Sequence, residues 1–288
     1  MSECPLQICP CPENRRAMLA FTFDDGTPDH YQAAQALQSF GWRGTFYVNP
    51  RANDRPYARR LTWAQMAEMA SAGHEIGVHT MTHRRLDFLE QQQDFPGMAW
   101  EIAECVRQIT ANVGVKPLTY TAPYGHRPEF ICELLAQHSL LETPGRVHVD
   151  THNTAVWLEK EMPKWTAPGT FTVLMFHGIL PGYGGYDAPE REECFGEILT
   201  ALSRAESLYC GTFADTGFYR LRHEHTELRE IRPGEYFLRL DPAYAAFAGA
   251  LTLTVPDVHT PLRINGIPLR ADIDRLFQAC TGDVVSVG

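Results

Sequence analysis

Short apolar runs alternate with helical patterns along most of the chain, and this alternation constrains the fold more than any other feature. Ala17–Phe23 predicts a buried strand, and 27–40 predicts a helix because Pro28 lies in its first turn and Gly41 follows its last. Strands that alternate with helices form parallel sheets, so we expect an α/β fold with a (β/α) barrel, complete or incomplete, and not an open sheet. Further strands are predicted at 44–48, 75–78, 118–121, 146–149, 171–176 and near 212, and further helices at 62–72, 98–113, 128–138 and 189–207.

The pattern changes after Phe218. Strand-like runs then dominate, and Asn265-Gly266 between two of them is a strong hairpin signal. One helical pattern is predicted at 273–278. We therefore divide the chain into a flexible, Pro-rich N-terminal tail at 1–16, the barrel at 17–218 and a small C-terminal β-rich accessory module at 219–288.

Composition and charge restrict the class of partner. The chain is 44% hydrophobic and 21% charged, as in an ordinary globular protein. A formal net charge of −10 disfavours nucleic acid and anionic membrane surfaces and favours a neutral or cationic substrate. No apolar run reaches the roughly 20 residues of a membrane helix, and 1–16 lacks the apolar segment of a secretory signal. We expect a cytoplasmic protein with free thiols, and the sequence leaves open whether it forms a homo-oligomer.

Two adjacent carboxylates, Asp24 and Asp25, end the first predicted strand. A fold alone gives no reason to place two repelling charges there. The pair makes sense if one carboxylate binds a cation while the other moves protons. His79 and His83 supply nitrogen ligands, because residues four apart on a helical turn share a face. One aspartate and two histidines would leave positions open on a divalent metal, as in catalytic sites.

Polar residues follow four predicted strands of the barrel. Besides the two acids and His79, Pro123-Tyr124 follows a strand, and so does His177. The carboxyl ends of the strands form one face of a (β/α) barrel, and active sites lie on that face. We therefore expect these residues to converge on one site.

The same residues resemble the successive motifs of a known family. The segments are 22–26 (TFDDG), 79–83 (HTMTH), 122–124 (APY) and 174–177 (LMFH), and their order and spacing are similar to those of the polysaccharide deacetylases, carbohydrate esterase family four. The resemblance implies a distorted barrel and a metal-dependent hydrolase that removes acetyl groups, commonly from N-acetylated sugars. A carbohydrate or another small molecule would be its substrate.

The resemblance also implies a role for each matching residue. Asp25, His79 and His83 would bind the metal, most commonly zinc, with cobalt, nickel or manganese as alternatives. Asp24 would be the general base and His177 the general acid. The backbone N–H of Tyr124 would donate to the oxyanion of the reaction.

Two positions depart from the family pattern. The third motif usually begins with an arginine that pairs with the base, and Thr121 stands there instead. Arg127 or His126, in the same loop, could supply the positive partner. The fourth motif usually supplies an aspartate and a tryptophan beside the acid, and Asp150 and Trp157 are the nearest candidates.

Two other functions remain open because of these departures. One is hydrolysis of a different C–N bond, in a small cyclic amide or ureide. The other is a barrel that binds glycan without turning it over. The intact acid pair and histidine pair favour catalysis, because a pure binder has little use for an acid beside a metal.

Overall fold

The computed structural model describes residues 6–51, 60–143, 145–149, 154–183, 189, 191–255, 261–269 and 276–287. The strands are β1 (Gln7–Ile8), β2 (Ala17–Phe23), β3 (Gly44–Val48), β4 (Glu75–Val78), β5 (Thr119–Tyr120), β6 (Leu141–Glu142), β7 (Val147–His148), β8 (Phe171–Phe176), β9 (Leu208–Gly211), β10 (Thr226–Arg232), β11 (Glu235–Leu240), β12 (Ala250–Thr254), β13 (Leu262–Ile264), β14 (Ile267–Pro268), β15 (Leu276–Cys280) and β16 (Val284–Val287). The α-helices are α1 (His30–Ser39), α2 (Trp63–Ser71), α3 (Leu86–Gln91), α4 (Phe95–Val113), α5 (Ile131–His138), α6 (Thr154–Trp165), α7 (Cys194–Ser203) and α8 (Phe213–His225).

A parallel sheet forms the barrel, in the order β6-β5-β4-β3-β2-β8-β7. The strand β2 is central, because β8 pairs with it along six residues while β9 and β3 share its other edge. Among the described residues β6 and β7 do not pair with each other, so the curled sheet stays open there. This arrangement confirms the predicted distorted (β/α) barrel.

The core of the barrel forms where β2 meets its neighbours. Phe23 stacks on Phe46 with ring centroids 4.7 Å apart and on Phe176 at 5.2 Å. The long helix α4 packs over this sheet and is bounded at both ends. The Asp94 side chain accepts the Gly97 N–H at 3.0 Å, and Gly114 ends the helix with a left-handed φ of 85°. These elements hold the carboxyl ends of the strands in fixed positions.

Two antiparallel sheets lie outside the barrel sheet. One has five strands in the order β10-β11-β16-β13-β14, and the other has three in the order β1-β12-β15. Their buried side chains, among them Leu238, Leu253 and Val285, form a second hydrophobic cluster that also contains Met18 of β2. None of the helices in the described ranges combines the length and apolar character needed to cross a membrane.

The N-terminal segment is not a flexible tail over its described part, residues 6–16. Gln7 pairs with Thr254 in an antiparallel ladder, and the neighbouring side chains of Leu6 and Cys11 are buried. These apolar side chains cover the second cluster, and their burial stabilises the segment. The prediction of a flexible tail is therefore wrong there.

The boundary predicted at 218/219 falls inside α8. Tyr219 of this helix is buried in the second cluster, and its hydroxyl donates to the carbonyl of Cys9 at 2.8 Å. The helix therefore joins the two cores, and the division of the chain into a barrel and a separate accessory module stays a prediction. The helix predicted at 273–278 is wrong over its described part, because residues from Leu276 onward form β15 against β12.

Candidate active site

The carboxyl ends of the barrel strands surround a cavity of about 900 Å³. All six residues that the sequence singles out line this cavity, so the expected convergence is found. They are Asp24, Asp25, His79, His83, Tyr124 and His177.

Three of these side chains form a compact cluster of metal-binding atoms. The Asp25 carboxylate and one ring nitrogen each of His79 and His83 lie within 4.8 Å of one another. Asp25 Oδ1 is 3.1 Å from His83 Nε2 and 3.8 Å from His79 Nε2. All three residues are buried, and two imidazoles with one carboxylate suit a divalent ion such as zinc.

The histidines reach this position from a loop and not from a helical turn as predicted. Residues 79–83 follow β4 as irregular chain in which Thr80 and His83 have left-handed φ values of 61° and 62°. Asp25 also has a positive φ, of 79°. Such conformations cost roughly 1–3 kcal/mol each and persist only where their surroundings enforce them.

Hydrogen bonds orient the ligands of this cluster. His79 Nδ1 donates to the carbonyl of Thr121 at 2.8 Å, which leaves Nε2 facing Asp25. Burial, with a smaller contribution from His83, lowers the pKa of His79 to about 4 against the opposing effect of Asp24, so the ring is neutral at pH 7. Asn49 Nδ2 donates to Asp25 Oδ1 at 3.1 Å.

Asp24 lies in a different environment from its neighbour. Arg146 Nη1 donates to both of its carboxylate oxygens, at 2.6 and 2.8 Å; the Asp24 side chain is buried and that of Arg146 is 11% exposed. Burial alone would raise the pKa of Asp24, but the charges of Arg146, His79 and His177 together hold it well below its usual range. Asp24 is therefore ionised at neutral pH.

Arg146 is the positive partner of Asp24, a role that the sequence predicted for Arg127 or His126. Arg127 instead pairs with Glu142, at 2.7 and 2.9 Å, and His126 lies 3.9 Å from Asp87. Neither of the two residues expected near Asp24 serves it, and that prediction is wrong.

The register of β7 explains the position of Arg146. Val147 pairs with Leu174, in the second half of β8, so the residue before β7 already lies near the carboxyl ends of the strands. No local pattern in the sequence reveals that register, although Arg146 begins a predicted strand.

His177 follows β8 and is held by the start of α1. His30 is fully buried, and its Nε2 donates to the carbonyl of His177 at 2.5 Å. The Asp29 carboxylate accepts the N–H of Ile179 at 2.6 Å. On the cavity side the ring of His148 lies perpendicular to that of His177, with centroids 5.5 Å apart. The backbone at the predicted acid and just after it is thus fixed.

Tyr124 lies on the turn after β5 with a φ of 57°. Its ring is 57% exposed and lies 4.7 Å from the His83 ring. Of the two fourth-motif candidates, Asp150 falls outside the described residues. Trp157 packs against the buried Trp165 of α6 with centroids 4.8 Å apart, and we assign it to core packing.

Residues 12–141 match the family model of the polysaccharide deacetylases. The match confirms the resemblance drawn from the motifs over this stretch, which contains the predicted metal ligands and makes up less than half of the chain.

One relative found by sequence comparison has the name of a deacetylase. Chitin deacetylase 1 of Cryptococcus neoformans var. grubii is 24% identical over 219 residues, which make up 75% of this chain and 38% of that protein. The chain thus spans well under half the length of this relative.

Solved structures share the fold. The peptidoglycan deacetylase PdaC from Bacillus subtilis has a TM-score of 0.50 at 19% identity, covering 69% of this chain and 89% of its own. A family 4 carbohydrate esterase pseudoenzyme from Bacillus anthracis also has a TM-score of 0.50, at 14% identity, covering 70% of this chain and 65% of its own. The fold therefore accommodates proteins with and without turnover, and fold alone does not establish activity.

Proposed function

We propose that this protein is a metal-dependent hydrolase that removes the acetyl group from an N-acetylated sugar or glycan. The observation that carries the proposal is the separation of two adjacent acids. Asp25 turns into a cluster with His79 and His83, while Asp24 turns to Arg146 and remains on the cavity wall. One acid is thus available to a metal and the other to a proton.

A divalent ion held by Asp25, His79 and His83 would supply an activated water and polarise the acetyl carbonyl. We propose zinc, with cobalt, nickel and manganese as alternatives. The donor atoms and the burial of Asp25, His79 and His83 support this assignment.

The other site residues would carry the proton transfers. Asp24, ionised and held through both oxygens, takes the proton of the attacking water. The charge that develops on the acetyl oxygen is met by the N–H of Tyr124, an interaction class worth about 3–4 kcal/mol of barrier. As the C–N bond breaks, His177 gives a proton to the departing amine. Acetate and a free amine are the products.

Three observations support a sugar as the substrate. The cavity is large enough for a sugar unit, and the exposed Tyr124 ring offers an apolar face at its rim. The match to the family model and the name of the chitin deacetylase relative point the same way. The chain's negative charge supports a neutral or cationic glycan. It also leads us to expect no nucleic-acid partner and no anionic membrane surface as partner. A cytoplasmic location remains an expectation.

The test is acetate release from N-acetylated glycans, chitin oligosaccharides first, by protein freed of metal and then reloaded with zinc. We expect activity only after reloading. Asp24→Asn should lower turnover about 100- to 10,000-fold while zinc binding persists. Asp241→Asn, an exposed aspartate remote from the cavity, should leave turnover unchanged. Full activity of Asp24→Asn would show that the assigned base is wrong.

The structure weakens the main reason for considering the two alternative functions. Both drew on the missing arginine at Thr121, and Arg146, the residue before β7, gives Asp24 a positive partner. Product screening with cyclic amides and ureides, run beside the glycans, separates the first alternative. Saturable glycan binding without acetate release would support the second.

A further inference from the structure

We infer that Glu101 is a positioning residue that holds the histidine loop, residues 79–83, in its metal-binding shape. The inference rests on the proposed metal site and adds to it a residue from α4 that none of the family motifs contains. Glu101 does not line the cavity.

Glu101 binds the middle of the loop through three donors. Its Oε2 accepts the N–H of Met81 at 2.9 Å and that of Thr82 at 2.8 Å, and the Thr82 hydroxyl donates to Oε1. These contacts lie between the two histidines. The carboxylate therefore fixes the backbone from which both ligands extend.

Packing alone does not explain a carboxylate at this position. Glu101 is 2% exposed, and its neighbours on the buried face of α4 are the apolar residues Met98, Ile102 and Cys105. Within the described part of the chain no basic side chain pairs with it. Burying a charge is costly unless hydrogen bonds compensate, and an apolar residue would suit a purely structural face better. The three donors of the loop provide the compensation.

The loop in turn needs an anchor because its backbone is strained. Thr80 and His83, on either side of the two N–H groups, both have left-handed φ values. A β-branched residue such as Thr80 rarely adopts this conformation. Without Glu101 the buried Met81 N–H would lose its partner, at about 1–3 kcal/mol, the part-buried Thr82 N–H would lose the same partner, and the loop could relax to ordinary φ values. The two imidazoles would then no longer face one ion.

A second carboxylate provides a matched control. Glu75, at the start of β4, also accepts two hydroxyls and a backbone N–H, those of Thr45, Thr119 and Ala214. It lies at the opposite end of the strand from His79. Glu75→Gln should therefore lower stability without weakening metal binding.

The experiment measures the zinc dissociation constant by chelator competition, together with the melting temperature, for wild type, Glu101→Ala, Glu101→Gln and Glu75→Gln. We expect Glu101→Ala to bind zinc about 10- to 100-fold more weakly, the range seen when partners of metal ligands are removed. Glu101→Gln keeps one acceptor oxygen for the N–H groups and should fall between Glu101→Ala and wild type. Glu75→Gln should match wild type in zinc affinity despite a lower melting temperature.

If Glu101→Ala does not fold, Glu101→Gln and Thr82→Val decide the question, since Thr82→Val removes only the hydroxyl contact. Wild-type affinity in every folded Glu101 and Thr82 variant overturns the role of Glu101 while the proposed function stands. Equal weakening by Glu75→Gln also overturns it, because the effect would then follow stability alone. A wild type that binds no divalent ion overturns the metal site and this inference with it.

Discussion

The two ends of the barrel strands carry similar polar side chains but use them differently. At the amino end, Glu75 accepts the hydroxyls of Thr45 and Thr119 at 2.7 and 2.6 Å and the Ala214 N–H at 3.0 Å. The same Thr45 hydroxyl accepts the N–H of Phe213 at 2.7 Å. Two of these contacts join neighbouring strands of the sheet, and the other two attach the start of α8 to it.

At the carboxyl end the acids face a cavity, and the backbone is strained. Asp25, Thr80, His83 and Tyr124 all have positive φ values there. Asp24 is bound on one side by Arg146 and lines the cavity on the other. At the amino end the polar groups thus join secondary-structure elements. At the carboxyl end a strained backbone, which lowers the stability of the fold, directs polar side chains into the cavity.

The largest effect should come from removing a metal ligand. Zinc should raise the melting temperature of wild type, because a ligand at 100 times its dissociation constant stabilises by about 2.7 kcal/mol. His83→Ala should lose both this rise and acetate release. Glu75→Gln should keep the rise, starting from a lower melting temperature.

His126→Ala is the matched control, since this histidine is 46% exposed on the same face and is not part of the cluster. Zinc should stabilise this variant as it does wild type. If His83→Ala were stabilised equally, the carboxyl end would be as purely structural as the amino end.

A smaller effect is expected at Arg146. Arg146→Met removes both hydrogen bonds to Asp24, and a misplaced base costs on the order of 100-fold in kcat/KM. Arg146→Lys keeps the charge but loses the fork geometry, and should retain part of the rate. Zinc affinity should not change, because Asp25 and not Asp24 belongs to the cluster.

Arg127→Met, in the loop after β5, controls for loss of positive charge near the cavity. Its partner is Glu142, so kcat/KM should stay close to wild type. A larger loss in Arg127→Met than in Arg146→Met would reverse the assignment of the partner.

The sequence predicts what depends on local pattern. The barrel strands and the two motifs with Asp25 and His79 are recognisable because apolar periodicity and motif spacing are short-range properties. The pair of Arg146 with Asp24 spans 122 residues and depends on the register of β7 against β8. No pattern within either segment encodes it.

Other differences have the same origin. The two-residue strand β1 gains its order from β12, which lies more than 240 residues away in the chain. Glu101 interrupts the apolar face of α4, and that interruption was the available signal. Its meaning becomes clear only when the histidine loop lies against it.

The smallest predicted effect is a dependence of stability on pH at the amino end. His74 is buried beside the start of β4, and its Nδ1 accepts the Gly44 N–H at 3.1 Å. Burial, and secondarily Arg43, lower its pKa from 6.5 to about 4. Between these values the unfolded chain binds a proton that the folded chain does not, so stability should fall as the pH drops from 6.5 towards 4.

Glu75, the next residue, acts in the opposite direction. Burial raises its pKa above the usual 4.5, so the folded chain binds the extra proton just above that value, and stability falls as the pH rises. Glu75→Gln removes this opposing contribution and should steepen the loss of stability between pH 6.5 and 4, measured by urea denaturation at a series of pH values. His74→Phe should flatten it. If both variants gave the wild-type slope, the pH dependence would originate elsewhere, and the amino end would contribute contacts alone.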